Sequence, residues 1–181
     1  MKSERDKYLL QYEYKKFIEN TPQKYKLFWE IIFNGGLRIS EGLAITVKDI
    51  LFSENKILIK TLKRKKHPII PLIMPSKLIA ELKVYIFKNE ITDKLWNFSR
   101  QFSWKLFKQI CKKADLNPKY SPHAARHYHG ILIADITGGD VVQIQHRLRH
   151  SSIASTQFYI HCSEAKQIEL IQKIEAFHKN E

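Results

Sequence analysis

Large apolar residues return every three or four positions along most of this chain, which is the spacing of amphipathic helices. The first clear case begins at Thr21-Pro22, a cap followed by a first-turn proline, and ends at the Gly35-Gly36 pair. Its apolar positions include Phe28, Trp29, Ile31 and Ile32. The pattern predicts further helices that begin near Ser40, follow Pro75, span residues 102–114, open at Ser121-Pro122 and are capped by Asp140.

The pattern changes its period between residues 45 and 72. Short runs rich in β-branched residues, separated by polar breaks, predict strands over Ile45–Phe52, Lys56–Lys60 and Pro68–Leu72. Because these strands follow one another with short connections, we expect them to pair as an antiparallel sheet. The predicted fold class is α+β, mostly helical, with one small three-stranded antiparallel sheet.

The two ends of the chain differ from its middle. The first 20 residues are highly charged and predict an exposed helix. Residues 1–23 are therefore interpreted as a lead-in helix or linker, and residues 24–181 as one domain. The segment Glu164–Phe177 is amphipathic, and its apolar face either completes the chain's own core or packs on a neighbouring subunit. That face consists of Ile168, Ile171, Ile174 and Phe177.

Charge narrows the choice of partner. The 181 residues include 31 Lys and Arg against 18 Asp and Glu, which gives a net charge of +13. So large a charge destabilises a small domain by self-repulsion and is usually kept where a polyanion neutralises it. Nucleic acid is the leading candidate, and the alternative is a basic proteome that gives all its proteins this composition.

Cysteine usage and hydropathy exclude other classes of protein. Cys111 and Cys162 lie far apart without a pairing motif, which argues for a reducing compartment and against a zinc site. No apolar run reaches membrane-spanning length, and no signal peptide opens the chain. We therefore expect no membrane partner and a location in the cytoplasm, at the nucleoid, or in a host cytoplasm if a virus encodes the protein.

Two local signals in the first half of the chain carry candidate chemistry. Arg38 follows the glycine stop, where a guanidinium can bind a phosphate, and Glu41 is spaced to pair with it or to cap the next helix. The turn from Lys60 to His67 is strongly basic and suits a DNA groove. Taken alone, the first signal is typical of a surface arginine and the second of a solvated hairpin tip.

A third signal lies on the helix that Ser121-Pro122 opens. His123 and Arg126 fall one turn apart, so they can grip a single phosphoryl group together, and His127 lies on the same side. The histidines lack the intervening acidic residue of a zinc motif, and we expect no metal there. His127 or His129 is then a hydrogen-bonded structural histidine.

The fourth signal is Leu148-Arg149-His150-Ser151-Ser152, with Tyr159 nine residues after the histidine. By itself, a tyrosine between Phe158 and Ile160 would be assigned to the core. In this order, however, the four signals resemble the active-site pattern of the tyrosine recombinases, the family of the phage-type integrases. The resemblance covers about residues 24–165, and its other runs are Gly36-Leu37-Arg38-Ile39-Ser40-Glu41 and His123-Ala124-Ala125-Arg126-His127.

The resemblance implies a catalytic series, which consists of Arg38, Lys63, His123, Arg126, His150 and Tyr159. Lys63 is chosen by the family's spacing to Pro71-Leu72, and its neighbours stay open as alternatives for the catalytic lysine. The expected DNA contacts are Lys60, Arg64, Lys65, Lys66 and Arg149. The chain departs from the family pattern at Arg149, where glycine is usual, and at Gly42 and Ala44, where larger residues are common.

The resemblance also implies a reaction on double-stranded DNA that needs no metal or other cofactor. Tyr159 attacks a phosphate and forms a 3′-phosphotyrosyl link, with His123 as the base and Lys63 as the acid. Complete recombination would use a DNA-bound tetramer. Two alternatives stay open, a type IB topoisomerase-like strand transferase and a non-catalytic DNA-binding module. Because the arginine motif begins by residue 36, the family's N-terminal core-binding domain is expected to be absent.

Overall fold

The computed structural model describes residues 7–61 and 68–149, together with Thr156, Tyr159 and Ile171. The chain separates into two compact units, residues 1–128 and residues 129–181. The predicted division into a lead-in segment and a catalytic domain that begins at residue 24 stays a prediction.

Helices make up most of the described residues. The first unit contains α1 (Gln11–Glu19), α2 (Gln23–Gly35), α3 (Ile39–Leu43), α4 (Ser76–Lys88) and α5 (Arg100–Lys113). The helix α6 (His123–Thr137) includes the boundary between the units, and α7 (Val141–Leu148) belongs to the second unit.

The sheet has the predicted three antiparallel strands, but the first strand is shorter than predicted. Its strands are β1 (Ile50–Leu51), β2 (Lys56–Lys60) and β3 (Ile69–Ile73), paired antiparallel in the order β1-β2-β3. The strand predicted over Ile45–Phe52 is wrong in its first half, where residues 47–49 form a turn of 3-10 helix. The Asp49 side chain accepts hydrogen bonds from the backbone and the hydroxyl of Thr46, and these bonds favour a turn over an extended strand.

The predicted helix boundaries are largely confirmed, and most have a visible cause. Gly36 ends α2 in the left-handed conformation, with φ of 54°, and Asp140 caps α7 by accepting from the backbone N–H groups of Val142 and Gln143. Thr21 does not cap α2 as expected, because its hydroxyl donates to the carbonyl of Phe17 at 2.7 Å.

The expectation of an exposed first helix is wrong. Phe17 of α1 has no exposed surface and packs against three aromatic rings at centroid distances of 4.9 to 5.4 Å. These rings belong to Trp29, Phe33 and Phe107, so α1 contributes to the core of the first unit. Lys15, Lys16 and Glu19 of α1 are exposed, but Glu13 is buried with Phe17.

The fold class is confirmed as mostly helical with a small three-stranded antiparallel sheet. The predicted amphipathic segment Glu164–Phe177 lies outside the described residues apart from Ile171, which is helical and exposed. Within the described residues, no helix combines the length and the apolar character needed to cross a membrane.

We predict that Phe17→Ala lowers the free energy of unfolding by about 3 to 5 kcal/mol, because a fully buried ring is replaced by a cavity. Phe87→Ala is the matched control, since Phe87 is 85% exposed, and it should change stability by less than about 0.5 kcal/mol. Urea unfolding of both variants measures the difference. Equal, small losses would show that α1 does not contribute to the folded core.

Candidate active site

Arg38 is presented by the turn that ends α2. After the left-handed Gly36, the chain enters α3 with Arg38 as its N-cap residue. Glu41, at the third position of α3, accepts the Arg38 backbone N–H at 2.9 Å and the Arg38 Nη1 group at 2.6 Å. Both roles foreseen for Glu41, the ion pair and the cap, are therefore confirmed, and together they fix the guanidinium close to the turn.

Arg126 reaches the same carboxylate from α6. Its side chain is 1% exposed, its Nη1 donates to the Gly36 carbonyl at 2.7 Å, and the same atom lies 3.9 Å from Glu41 Oε2. A buried guanidinium needs compensation by an opposite charge and by hydrogen bonds, and both are present here. Arg38 and Arg126, far apart in sequence, thus share one buried carboxylate.

His123 occupies the first turn of α6 and is exposed. Its ring meets that of His127 edge to face, with centroids 4.8 Å apart, so the predicted proximity of these histidines is confirmed. A cavity of about 340 Å³ is lined by both Arg38 and His123. The structure therefore brings two of the predicted catalytic residues to one cavity and joins Arg126 to it through Glu41.

Two further residues of this cavity were missed by sequence reasoning. Arg100 and Trp104, from the first turns of α5, line it together with Arg38 and His123. Trp104 is 51% exposed although it is a large aromatic residue. A signal was present in the sequence, because the two residues lie four apart and so share a helix face, opposite to the apolar face that α5 buries.

The basic turn is described only at its base. Lys60 Nζ lies 3.2 Å from Asp49 Oδ1, and the Thr61 backbone and hydroxyl both donate to the carbonyl of Pro68. Burial opposes ionisation of Asp49, but the hydrogen bonds from Thr46 and Lys60 outweigh it and hold the Asp49 pKa below its ordinary value. The predicted residues Lys63, Arg64, Lys65 and Lys66 lie outside the described part of the chain.

Tyr159 belongs to the second unit and is 2% exposed there. Its ring packs in a cluster with Ala134, Ile144 and Leu148. The ring also covers Gly130, where an added Cβ would stand 2.4 Å from a ring carbon. The tyrosine singled out for its chemistry therefore has core packing in this unit. The predicted His150 lies outside the described residues.

The backbone at Arg149 shows why glycine suits this position of the family pattern. Arg149 ends α7 in the left-handed conformation, with φ of 55°, where glycine has no steric cost and an L-residue is disfavoured. Its side chain is 4% exposed and donates to the carbonyl of Arg147 at 3.0 Å. Burial leaves little guanidinium surface, and the expected DNA contact of Arg149 stays a prediction.

Arg147 and His129 form a further pair in the second unit. Arg147 Nε donates to Nε2 of the buried His129 at 3.3 Å, which agrees with the interpretation of this histidine as structural. Burial, and then the charge of Arg149, lower the pKa of Arg147 from its ordinary value. Among the residues that the structure describes, no group of three His, Cys, Asp or Glu side chains is placed to hold a metal ion.

An arginine pair on a shared carboxylate, with a histidine on the same cavity, defines a site suited to an anionic oxygen ligand. Residues 7–166 match the model of the Phage integrase family, and the chain belongs to this family. The resemblance found in the motifs is thereby confirmed.

Relatives of known name agree with this assignment. Tyrosine recombinase XerD of Staphylococcus saprophyticus is 31% identical, over 76% of this chain and 50% of its own length. Tyrosine recombinase XerA of Saccharolobus solfataricus is 30% identical, over 76% of this chain and 46% of its own length. The chain thus spans about half the length of the curated relatives it matches.

Solved structures show the same fold. A crystal structure of XerA recombinase superposes with a TM-score of 0.77 at 24% identity, and covers 92% of this chain and 64% of its own. The catalytic domain of bacteriophage HP1 integrase gives a TM-score of 0.69 at 17% identity, over 91% of this chain and 93% of its own.

We predict that Glu41→Ala lowers the free energy of unfolding by about 3 kcal/mol, because it leaves the buried Arg126 cation without its carboxylate. The matched control is Glu54→Ala. Glu54 binds Lys56 at 2.6 Å, the same distance as the Arg38–Glu41 pair, but it is exposed, so its loss should cost less than about 0.5 kcal/mol. Denaturant unfolding compares the two, and similar losses would exclude a structural role for the buried pair.

Proposed function

We propose that this chain is the catalytic domain of a site-specific DNA recombinase, which cuts and rejoins double-stranded DNA through a 3′-phosphotyrosine intermediate. The observation that carries the proposal is the pair of arginines on one buried carboxylate, with Arg38 and His123 lining the same cavity. Family membership supports the same reading.

The arginines supply the electrostatic part of the reaction. A phosphodiester is anionic, and its pentavalent transition state concentrates charge on the non-bridging oxygens. Guanidinium groups held in place before the substrate arrives stabilise that charge without reorganising. Glu41 holds both arginines, and His150 would donate a further hydrogen bond to the same oxygens. In this proposal the protein's own cations provide the stabilisation that a metal ion gives in other nucleases.

Two proton transfers accompany the covalent step, one from the tyrosine and one to the leaving oxygen. The Tyr159 hydroxyl oxygen bonds to phosphorus as the bond from phosphorus to the 5′ oxygen breaks. A phenol has a pKa of about 10, so it is protonated near neutral pH, and His123 takes its proton during the attack. Lys63 gives a proton to the departing 5′ oxygen. The phosphotyrosyl link keeps the energy of the broken bond, so a 5′ hydroxyl can reverse the step on another strand.

The buried position of Tyr159 bears on the rate. Because Tyr159 is only 2% exposed, we expect attack on DNA to require the tyrosine to leave that packing. We therefore expect the isolated chain to cleave slowly, since part of the binding energy is spent on this rearrangement.

DNA is the proposed partner, and the net charge of +13 favours it. Two structural neighbours support it through their own complexes: XerH recombinase was solved bound to its difH substrate, and the Tn1549 transposon integrase was solved with transposon right end DNA. Full recombination would assemble four copies on DNA in the cytoplasm or at the nucleoid.

We predict that Tyr159→Phe abolishes covalent attachment to a nicked suicide substrate while non-covalent DNA affinity changes by less than about twofold, because only the hydroxyl is lost. The assay quantifies the covalent protein–DNA band on a denaturing gel. The buffer contains excess EDTA, which inhibits metal-dependent nucleases. Tyr128→Phe is the control. Tyr128 is an alternative nucleophile on α6, but burial, with a smaller contribution from Tyr14, raises its pKa to about 12.

A wild-type adduct that disappears in EDTA, or an adduct that persists in Tyr159→Phe, would contradict the mechanism. Loss of the adduct in Tyr128→Phe alone would move the nucleophile to that residue.

We predict that Arg38→Ala lowers the single-turnover cleavage rate by about 100-fold, because it removes a charge aimed at the transition state. Lys88→Ala is the control for the loss of one positive charge, since Lys88 is exposed at the end of α4. Quenched-flow cleavage of the nicked substrate measures both variants. A rate for Arg38→Ala within a few-fold of wild type would make Arg38 a structural residue.

A further inference from the structure

The position of His123 depends on the backbone that precedes it. The side chain is exposed on the first turn of α6 and meets the ring of His127, which belongs to the same helix. The backbone of this first turn is bonded to the segment before it: the Ala124 N–H donates to the Ser121 carbonyl at 2.8 Å, and the Ala125 N–H to the Pro122 carbonyl at 3.3 Å. Whatever holds residues 117–122 therefore holds His123.

One side chain of α5 binds this segment directly. Lys108 Nζ donates to the Tyr120 carbonyl at 2.6 Å and also to the Pro118 carbonyl. Bonds to a cation are stronger than neutral ones, so Lys108 fixes the backbone at Tyr120. The Tyr120 N–H closes the turn on the Asn117 carbonyl at 3.1 Å.

The side chain of Tyr120 points to a second anchor, in α1. It has no exposed surface, and its hydroxyl lies 3.1 Å from each carboxylate oxygen of Glu13. Glu13 is itself 6% exposed and also accepts the Leu10 N–H at 2.7 Å. A buried hydroxyl and a buried carboxylate each carry a large cost without a partner, so this bond defines where Tyr120 can lie.

A ring contact connects the same two helices further along α6. Tyr14, the next residue of α1, stacks on Tyr128 with centroids 4.9 Å apart and planes at 19°. Both contacts lie within the first unit. The helix expected to be a lead-in segment thus touches α6 at Tyr128 and its approach at Tyr120, on either side of His123 and Arg126.

We propose that the Tyr120–Glu13 hydrogen bond is a positioning element for His123, so that α1 is part of the catalytic machinery. Neither residue touches the reacting atoms; each acts through the backbone that carries the histidine. The inference rests on the proposed function, because it assigns the bond a purpose in phosphotyrosine formation.

Tyr120→Phe removes the hydroxyl alone and tests the inference. We expect single-turnover cleavage of the nicked substrate to fall about tenfold, since displacement of a catalytic group by a fraction of an ångström is costly. DNA affinity, measured by fluorescence anisotropy, should stay within about twofold. Tyr12→Phe is the matched control, because it removes a tyrosine hydroxyl from α1 itself at a position that is 56% exposed. This variant should cleave at the wild-type rate.

A double-mutant cycle separates positioning from general stabilisation. If Tyr120 acts through His123, then Tyr120→Phe should cost almost nothing in a His123→Ala background. Glu13→Gln should keep at least about a third of the wild-type rate, because the amide oxygen still accepts from Tyr120, whereas Glu13→Leu should resemble Tyr120→Phe. A tenfold loss that persists in the His123→Ala background would overturn the inference, and so would a wild-type rate for Tyr120→Phe.

The two proposals fail in different ways. If the wild-type chain forms no covalent adduct, the phosphotyrosine function fails first. If the wild-type chain forms the adduct and Tyr120→Phe matches it, only the positioning role of the bond is excluded.

Discussion

Glu41 is almost fully buried, yet its carboxylate lies within ion-pair distance of two guanidinium groups. Two positive charges and one negative charge leave one net positive charge at this point of the fold, which matches the single negative charge of a phosphodiester. Without the carboxylate, Arg126 would be a buried cation that lacks the opposite charge of Glu41. The Glu41 carboxylate therefore connects three parts of the fold, which are the turn at Gly36, the start of α3 and α6. Each of these parts supplies an atom that binds Glu41 or one of the two arginines.

Much of this arrangement was predictable because it rests on local chemistry. Gly36 ends α2 because glycine adopts the left-handed conformation without steric cost. Glu41 lies three residues after Arg38, which is the spacing of a capping pair. The order of the four motifs then indicated the family, because no single motif carries that information. The meeting of Arg126 with Glu41 is a long-range contact, and only the resemblance, not the local pattern, foretold that the two motifs share a site.

The errors arose where a distant contact overrides the local pattern. Charged residues made α1 look exposed, but the face of Phe17 is matched by aromatic rings from α2 and α5 that no window of sequence contains. The strand expected from Ile45 is an exception, because the bonds from Thr46 to Asp49 that favour a turn there are local; Lys60 of β2 adds a contact from further along the chain. Trp104 was not singled out from the sequence, because its spacing from Arg100 shows that the two share a face of α5 but not that this face lines a cavity with Arg38.

In the second unit, packing and proposed chemistry fall on the same side chain. The Tyr159 ring fits over Gly130 because glycine has no Cβ, and a Cβ there would lie 2.4 Å from the ring. A tyrosine flanked by Phe158 and Ile160 is interpreted as a core residue from hydrophobic spacing, so only its order after the other motifs indicated chemistry. The ring contributes to stability through its apolar carbons, while the proposed reaction uses its oxygen. Stability and the proposed reaction therefore use different atoms of one residue, but they require different positions of it, because the packed ring must move before its oxygen can reach DNA.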